Sequence, residues 1–166
     1  MKYFCLFSLI IFLGSRAYSK SPPVVLEKGK SFYEMGQYLD ILEDPEGTLT
    51  VKDLGRPEWS KKFKRNFEKV PNFGFSESVH WARFYLKNLS SPHKDWLVSF
   101  NYYNQDRVTF YRKTLKGWDE IETGDLFPVS SREIKERAFL FKVNPDPWEF
   151  IPVGVADVPI VPKLSI

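Results

Sequence analysis

Two histidines, one cysteine and scattered carboxylates are the chain's stock for covalent or metal chemistry. His80 sits beside Trp81 in an alternating run, and His93 follows Ser91-Pro92 in a turn-like stretch. No HxH or HxxxH pattern and no second Cys completes a zinc set. Asp and Asn recur in loops, but no loop spaces its acids as a calcium loop does. A Ser–His–Asp triad can assemble from distant residues, yet no G-x-S-x-G elbow is present. The adjacent acids Glu43/Asp44 and Asp119/Glu120 fall in turns or on opposite strand faces, whereas glycoside hydrolysis needs two acids across a cleft. The glycines are isolated, so no phosphate-cradling loop forms. These residues predict a protein without catalysis, metal or cofactor.

What remains is binding. Aromatic rings stack on sugar faces, and Trp59, Trp118 and Trp148 lie outside the strongest strand patterns, which makes them the candidate ligand-binding residues. Trp81 and Trp96 sit mid-strand and read as core. A basic run follows Trp59: Lys61, Lys62, Lys64, Arg65 and Lys69 are countered within it only by Glu68. That run is either a patch for an acidic ligand or, as the simpler reading has it, a solvated loop pinned to the body by Trp59, Phe63 and Phe67. Phe63 and Phe67, four apart, would share one face if the stretch were a helical turn.

The elements that must carry these residues are strands. Of the 166 residues, 43% are hydrophobic and 17% aromatic, enough for one domain with a real core. Val79–Asn88 alternates Val79, Trp81, Arg83 and Tyr85 on one face with Ala82, Phe84 and Leu86 on the other. Both faces are partly apolar, which predicts a central strand covered on both sides. Asp95–Tyr103 sets Trp96, Val98, Phe100 and Tyr102 on one face. Arg107–Arg112 turns Val108 and Phe110 inward and leads through a hairpin at Leu115–Trp118 into Trp118–Glu122. Arg137–Val143 and a segment within Phe150–Pro159 complete the series. Pro23–Leu26 and Gln37–Leu42 are weaker strands. Asp44-Pro45-Glu46-Gly47 is a turn, and Thr48–Leu54 is a short strand or a helical turn capped by Thr50. Short strands at about ten-residue spacing, with no long helical period, predict a β-sandwich or barrel.

The start of the chain reads as an export signal. Met1-Lys2 precedes an apolar stretch at 3–13 and small residues at Ala17 and Ser19, so residues 1–19 are expected to be a signal peptide cut after Ser19. The apolar stretch covers only about half of a ~30 Å hydrocarbon core, which disfavours a membrane anchor. Cleavage removes Lys2, Arg16 and Cys5 but no acid. It brings 24 Lys+Arg close to the 21 Asp+Glu, so the mature chain is near neutral and nucleic acid is not an expected partner. It also leaves no thiol for a disulfide.

Taken in order, GQYLDILEDPEGTLTVKDL, NFGFSESVHWARFYLKN, DWLVSFNYYNQDRVTFYR and TGDLFPVSSREIKERAFLFKV resemble the type 2 extracellular sensor domain of bacterial seven-transmembrane receptors with diverse intracellular signalling modules. The likeness covers about residues 35–143. It implies an all-β, jelly-roll β-sandwich similar to carbohydrate-binding modules of the galactose-binding-like kind. It also implies a periplasmic or extracellular sensor for a carbohydrate or other small ligand, with no catalysis and no ligand residues to transfer. The matched Trp81, Arg83, Asn88, Asp106, Arg107, Tyr111, Gly124, Asp125 and Arg132 read as fold-defining. Arg83 shares a face with Trp81 and Tyr85, so it needs a buried partner, and Asp106 and Asp125 are the expected ones. The domain is expected over 35–160, after a lead-in at 20–34. The tail departs from the family in lacking its usual last strand, and the family's membrane helices do not follow. The chain therefore reads as a stand-alone or truncated receptor part, acting through a membrane receptor or another envelope partner. The alternatives are an envelope interaction or structural module with no small ligand, and a hydrolase on a carbohydrate-binding-like fold.

Overall fold

β-branched and aromatic residues dominate the periodic segments, and these become strands. The structure, a computed structural model, describes residues 20–74, 76–90, 95–100, 105–144, 149–156 and 162–165. In chain order the elements are β1 (Val24–Leu26), β2 (Phe32–Glu34), a 3-10 turn (Gly36–Tyr38), β3 (Asp40–Asp44), α1 (Val51–Leu54), α2 (Pro57–Ser60) and β4 (Lys64–Arg65). Then come β5 (Val79–Asn88), β6 (Trp96–Phe100), β7 (Arg107–Thr114), β8 (Gly117–Thr123), a second 3-10 turn (Val129–Ser131), β9 (Phe139–Val143), β10 (Glu149–Ala156) and β11 (Pro162–Ser165). The expected signal peptide, His93, Tyr102 and Trp148 lie outside the described residues.

Two sheets form. One runs β4-β3-β5-β10-β7-β8, with β1 added in parallel beside the last residues of β5. The other runs β2-β11-β6-β9. Ala82, Phe84 and Leu86 of β5 and Val108 and Phe110 of β7 face Trp96, Val98, Phe100, Phe139, Phe141 and Val143 across the main core. Phe141 joins the sheets. Its ring stacks on Phe110 at 4.5 Å and meets Phe100 edge-on at 5.7 Å. Arg112 adds a polar tie, since its guanidinium donates to Asp119, to Glu133 and to the Lys142 carbonyl of β9. The fold is an all-β sandwich, as the strand pattern predicts.

The lead-in at 20–34 supplies β1 and β2, with Val24 and Leu26 fully buried, and β11 lies past residue 160 in the tail expected to lack a final strand. β1 answers to the weaker strand expected at Pro23–Leu26, whereas β2 and β11 are too short to carry a readable period and are identified by pairing with each other and, for β11, with β6. The ambiguous Thr48–Leu54 is helical at α1, where the Asp53 carboxylate accepts hydrogen bonds from the Thr50 amide and hydroxyl. Those bonds hold the Asp53 carboxyl below its ordinary pKa. Phe63 and Phe67 do not share a face: Phe63 is fully buried and Phe67 is 69% exposed. α2 ends at Ser60 and the chain is extended at β4, so four-residue spacing has no helical meaning there.

A second, smaller core covers the outer face of the larger sheet. Segment 45–63 folds back so that Leu54 and Phe63 meet Leu42, Trp81 and Tyr111. Arg83 is buried here, as expected, but its partner is Asp40 and not Asp106 or Asp125. Arg83 Nε donates to Asp40 Oδ2 at 3.2 Å, its terminal nitrogens donate to the Ser60 hydroxyl and carbonyl, and its guanidinium lies 3.9 Å from the Phe63 ring centre. Register decides the pairing. Asp40 is directly across from Arg83, whereas Arg107 lies in the row of Val79, so Asp106 begins four residues away along β5. Both Asp106 and Asp125 are exposed, and Asp125 approaches Arg132 at 4.0 Å. Gly124 between strand and loop has φ of 145°, and a side chain there would overlap the Asp106 carbonyl.

Tyr111 titrates late in this core. Burial, then the charges of Glu120 and Glu122 and a hydrogen bond to Glu120, push its phenol up to about 12. The raised value stabilises the fold fully below a phenol's ordinary pKa of about 10, and that contribution is lost as pH rises toward about 12. Titration of tyrosinate absorbance should show one phenol ionising well after the others, and Tyr111→Phe should remove that late step.

Candidate functional site

The edge of the larger sheet, where the short β4 leaves β3 partly unpaired, opens a cleft of about 720 Å³. Its floor is mostly apolar: Ile41, Leu42 and Phe73 line it together with the His80 imidazole, the Phe73 and His80 rings stacked at 4.1 Å and nearly parallel. β3 and β5 set this floor, because Glu43 lies directly across from His80 and Ile41 from Ala82. The rim is cationic: Lys61, Lys62, Lys64 and Arg65 surround it, with Glu43 the acid among the lining residues. Glu43 accepts the Ser78 hydroxyl at 2.9 Å. Among the described residues no ion pair engages any of the four cations.

The segment after β4 is clipped in place beside the cleft. The Asn66 amide N–H donates to the Leu39 carbonyl, its Nδ2 donates to the carbonyls of Gly36 and Glu68, and Gln37 Nε2 donates to the Phe67 carbonyl. Gly36 permits this approach, because a Cβ there would overlap the Lys69 carbonyl oxygen. Gly36→Ala is expected to push the segment off the 3-10 turn at a cost of about 1–3 kcal/mol. Urea unfolding of the variant measures that cost. The NFG bend is held by Asn72, whose Oδ1 accepts the Gly74 N–H.

The expected aromatic platform is not assembled at this cleft. Trp59 and Trp118 are half-buried against the second core, and neither lines the cleft. Trp59 acts at one remove: the Lys62 ammonium lies 3.8 Å from its ring centre, which holds that cation at the rim. The basic run is legible in the sequence, but its gathering round a stacked Phe73–His80 floor is not. No sequence pattern links residues 41, 64, 73 and 80. Among the described residues no group of three or more His, Cys, Asp or Glu is placed to hold a metal ion.

The geometry is that of a β-sandwich with an open, charged cleft at its sheet edge. Residues 36–150 match the family 7TMR-DISM extracellular 2, and the chain belongs to that family of extracellular sensor domains of seven-transmembrane receptors. The family is non-catalytic, and its place is outside the cytoplasm. No curated protein matches the chain. Among the described residues no helix is long and apolar enough to cross a membrane.

Proposed function

We propose that this domain is an exported, non-enzymatic sensor that binds a small anionic ligand, an acidic carbohydrate by preference, in the cleft beside β3 and β4. The observation that carries this reading is the set of four cations, unpaired among the described residues, around an apolar floor in a cleft of about 720 Å³. That volume suits a small ligand, and the mixture of apolar floor and few polar groups is what such sites use for orientation. A sugar ring would lie on the floor while its carboxylate meets the lysines. Ligand contact would tighten the segment after β4 against the sheet, and the altered surface would pass the signal to a membrane receptor or another envelope partner. Export would follow cleavage after Ser19.

A thermal-shift screen of paired sugars tests the reading. Glucuronic and galacturonic acids are expected to raise the melting temperature, and glucose and galactose to do so less. A flat response to all four counts against it. A second reading, an envelope interaction module with no small ligand, draws on Phe67 and Val70, which stand exposed at 69% and 49% on the segment after β4. Under that reading every sugar is silent, and Phe67→Ser abolishes capture of an envelope partner.

A further inference from the structure

β5 is the shared wall of two pockets. His80 faces the basic cleft, and its neighbours Val79 and Trp81 face a smaller pocket of about 220 Å³ on the other side of the sheet. That volume is the share of about seven water molecules at about 30 Å³ each. Register builds its wall: Tyr111 lies directly across from Glu120 and Thr109 from Glu122, so two carboxylates, a hydroxyl and a phenol occupy one face of the β7–β8 hairpin. Between that hairpin and Trp81, β10 carries Gly154, the residue in register with both Trp81 and Thr109. No side chain therefore fills the row between them. The opposite rim is the turn bearing Gly47 and Leu49. It is fixed by the buried Asp44 carboxylate, which accepts the amides of Thr48 and Leu49 and, at 3.4 Å, the Trp81 indole N–H.

The pocket's charge is the reverse of the cleft's. Glu120 and Glu122 are its acids and Arg107 its one lining cation, paired with Glu122 at 3.3 Å. We propose that this pocket binds the primary ammonium group of a small amine, held by Glu120, Glu122 and the Thr109 hydroxyl. An ammonium carries three N–H donors, and these three acceptors stand on alternate rungs of two paired strands, on one face. Burial is the main cause of the raised Tyr111 phenol and works against any charge here, but the Glu120 and Glu122 carboxylates, which also raise it, attract a cation. Arg107 is the built-in competitor, since its guanidinium already occupies Glu122. This site does not depend on the reading of the basic cleft, with which it shares no lining residue.

Calorimetric titration of the chain with glucosamine and, in parallel, N-acetylglucosamine tests the proposal. The two sugars differ in the charge and donor count of one nitrogen. Glucosamine is expected to bind and N-acetylglucosamine not to. Glu120→Gln should weaken glucosamine about tenfold or more, the scale of a charge-assisted hydrogen bond. Arg107→Gln should tighten it, and Lys61→Glu/Lys64→Glu at the cleft should leave it unchanged. Circular dichroism checks that each variant is folded. No binding of glucosamine, equal binding of both sugars, or an affinity indifferent to Glu120→Gln in folded protein overturns it.

Discussion

Asp40→Ala is expected to destabilise the protein by about 3–5 kcal/mol, the cost of leaving a buried charge without its partner. Asp40 is completely buried and works in two directions. Its Oδ2 accepts Arg83 Nε, and its Oδ1 accepts the Ser21 amide N–H at 2.9 Å. Ser21 in turn donates its hydroxyl to the Leu39 carbonyl. One carboxylate therefore joins the lead-in, β3 and β5, and through Arg83 it reaches Ser60 and Phe63 in the covering segment. Removing it leaves the charge of Arg83, which is 1% exposed, with only the neutral Ser60 groups and the Phe63 ring beside it. Replacing both members by apolar residues of similar size, as in Asp40→Leu/Arg83→Met, removes the stranded charge. That double variant should be less unstable than the sum of the two single ones, because buried pairs add little net stability beyond well-packed apolar groups. Urea unfolding of the four proteins in the cycle measures the coupling. Additive losses would mean that the two residues do not act as a pair.

Phe141→Ala is expected to cost about 3–5 kcal/mol, by lost transfer energy and the cavity left behind. Its position makes the loss hard to repair. The ring is 1% exposed, and it touches Phe100 within its own sheet and Phe110 in the opposite one. Closing the cavity would require both sheets to move together, and Arg112 bracing the hairpin against β9 resists that movement. At a chain of this size the loss should lower the melting temperature by roughly 6–20 °C. Phe141→Leu, which keeps most of the volume, should lose much less. Equal losses for Ala and Leu would show that ring volume at this junction is not what holds the sheets.

The strongest strands were legible because their residues alternate over five or more positions. β5, β6, β7 and β9 follow from Trp81, Phe84, Val98, Phe110 and Phe141 alone. β1 was legible as the weaker strand at Pro23–Leu26, whereas β2 and β11 were not, because strands of three or four residues take their identity from partners distant in sequence. The same limit hid the partner of Arg83. Burial of a charge on an apolar face demanded an acid, but the choice of Asp40 over Asp106 or Asp125 depends on how β3 registers against β5, 43 positions apart for this pair. The candidate site shows the division most clearly. The lysines stood out as a run, whereas the floor beneath them joins Ile41, Phe73 and His80 from three separate segments. Trp59, singled out as a sugar platform, proved legible as an aromatic near the site but not as the ring that steadies Lys62.

The central claim is that the basic cleft takes a small anion, and charge reversal tests it most directly. Lys61 and Lys64 are exposed and unpaired among the described residues, so Lys61→Glu/Lys64→Glu should fold as the parent does. Calorimetric titration with glucuronic acid should then show affinity about tenfold weaker than the parent, about 1.4 kcal/mol, with the parent's own affinity falling as salt rises. Binding that is indifferent to both the reversal and the salt, or no binding to the parent at all, would contradict the account.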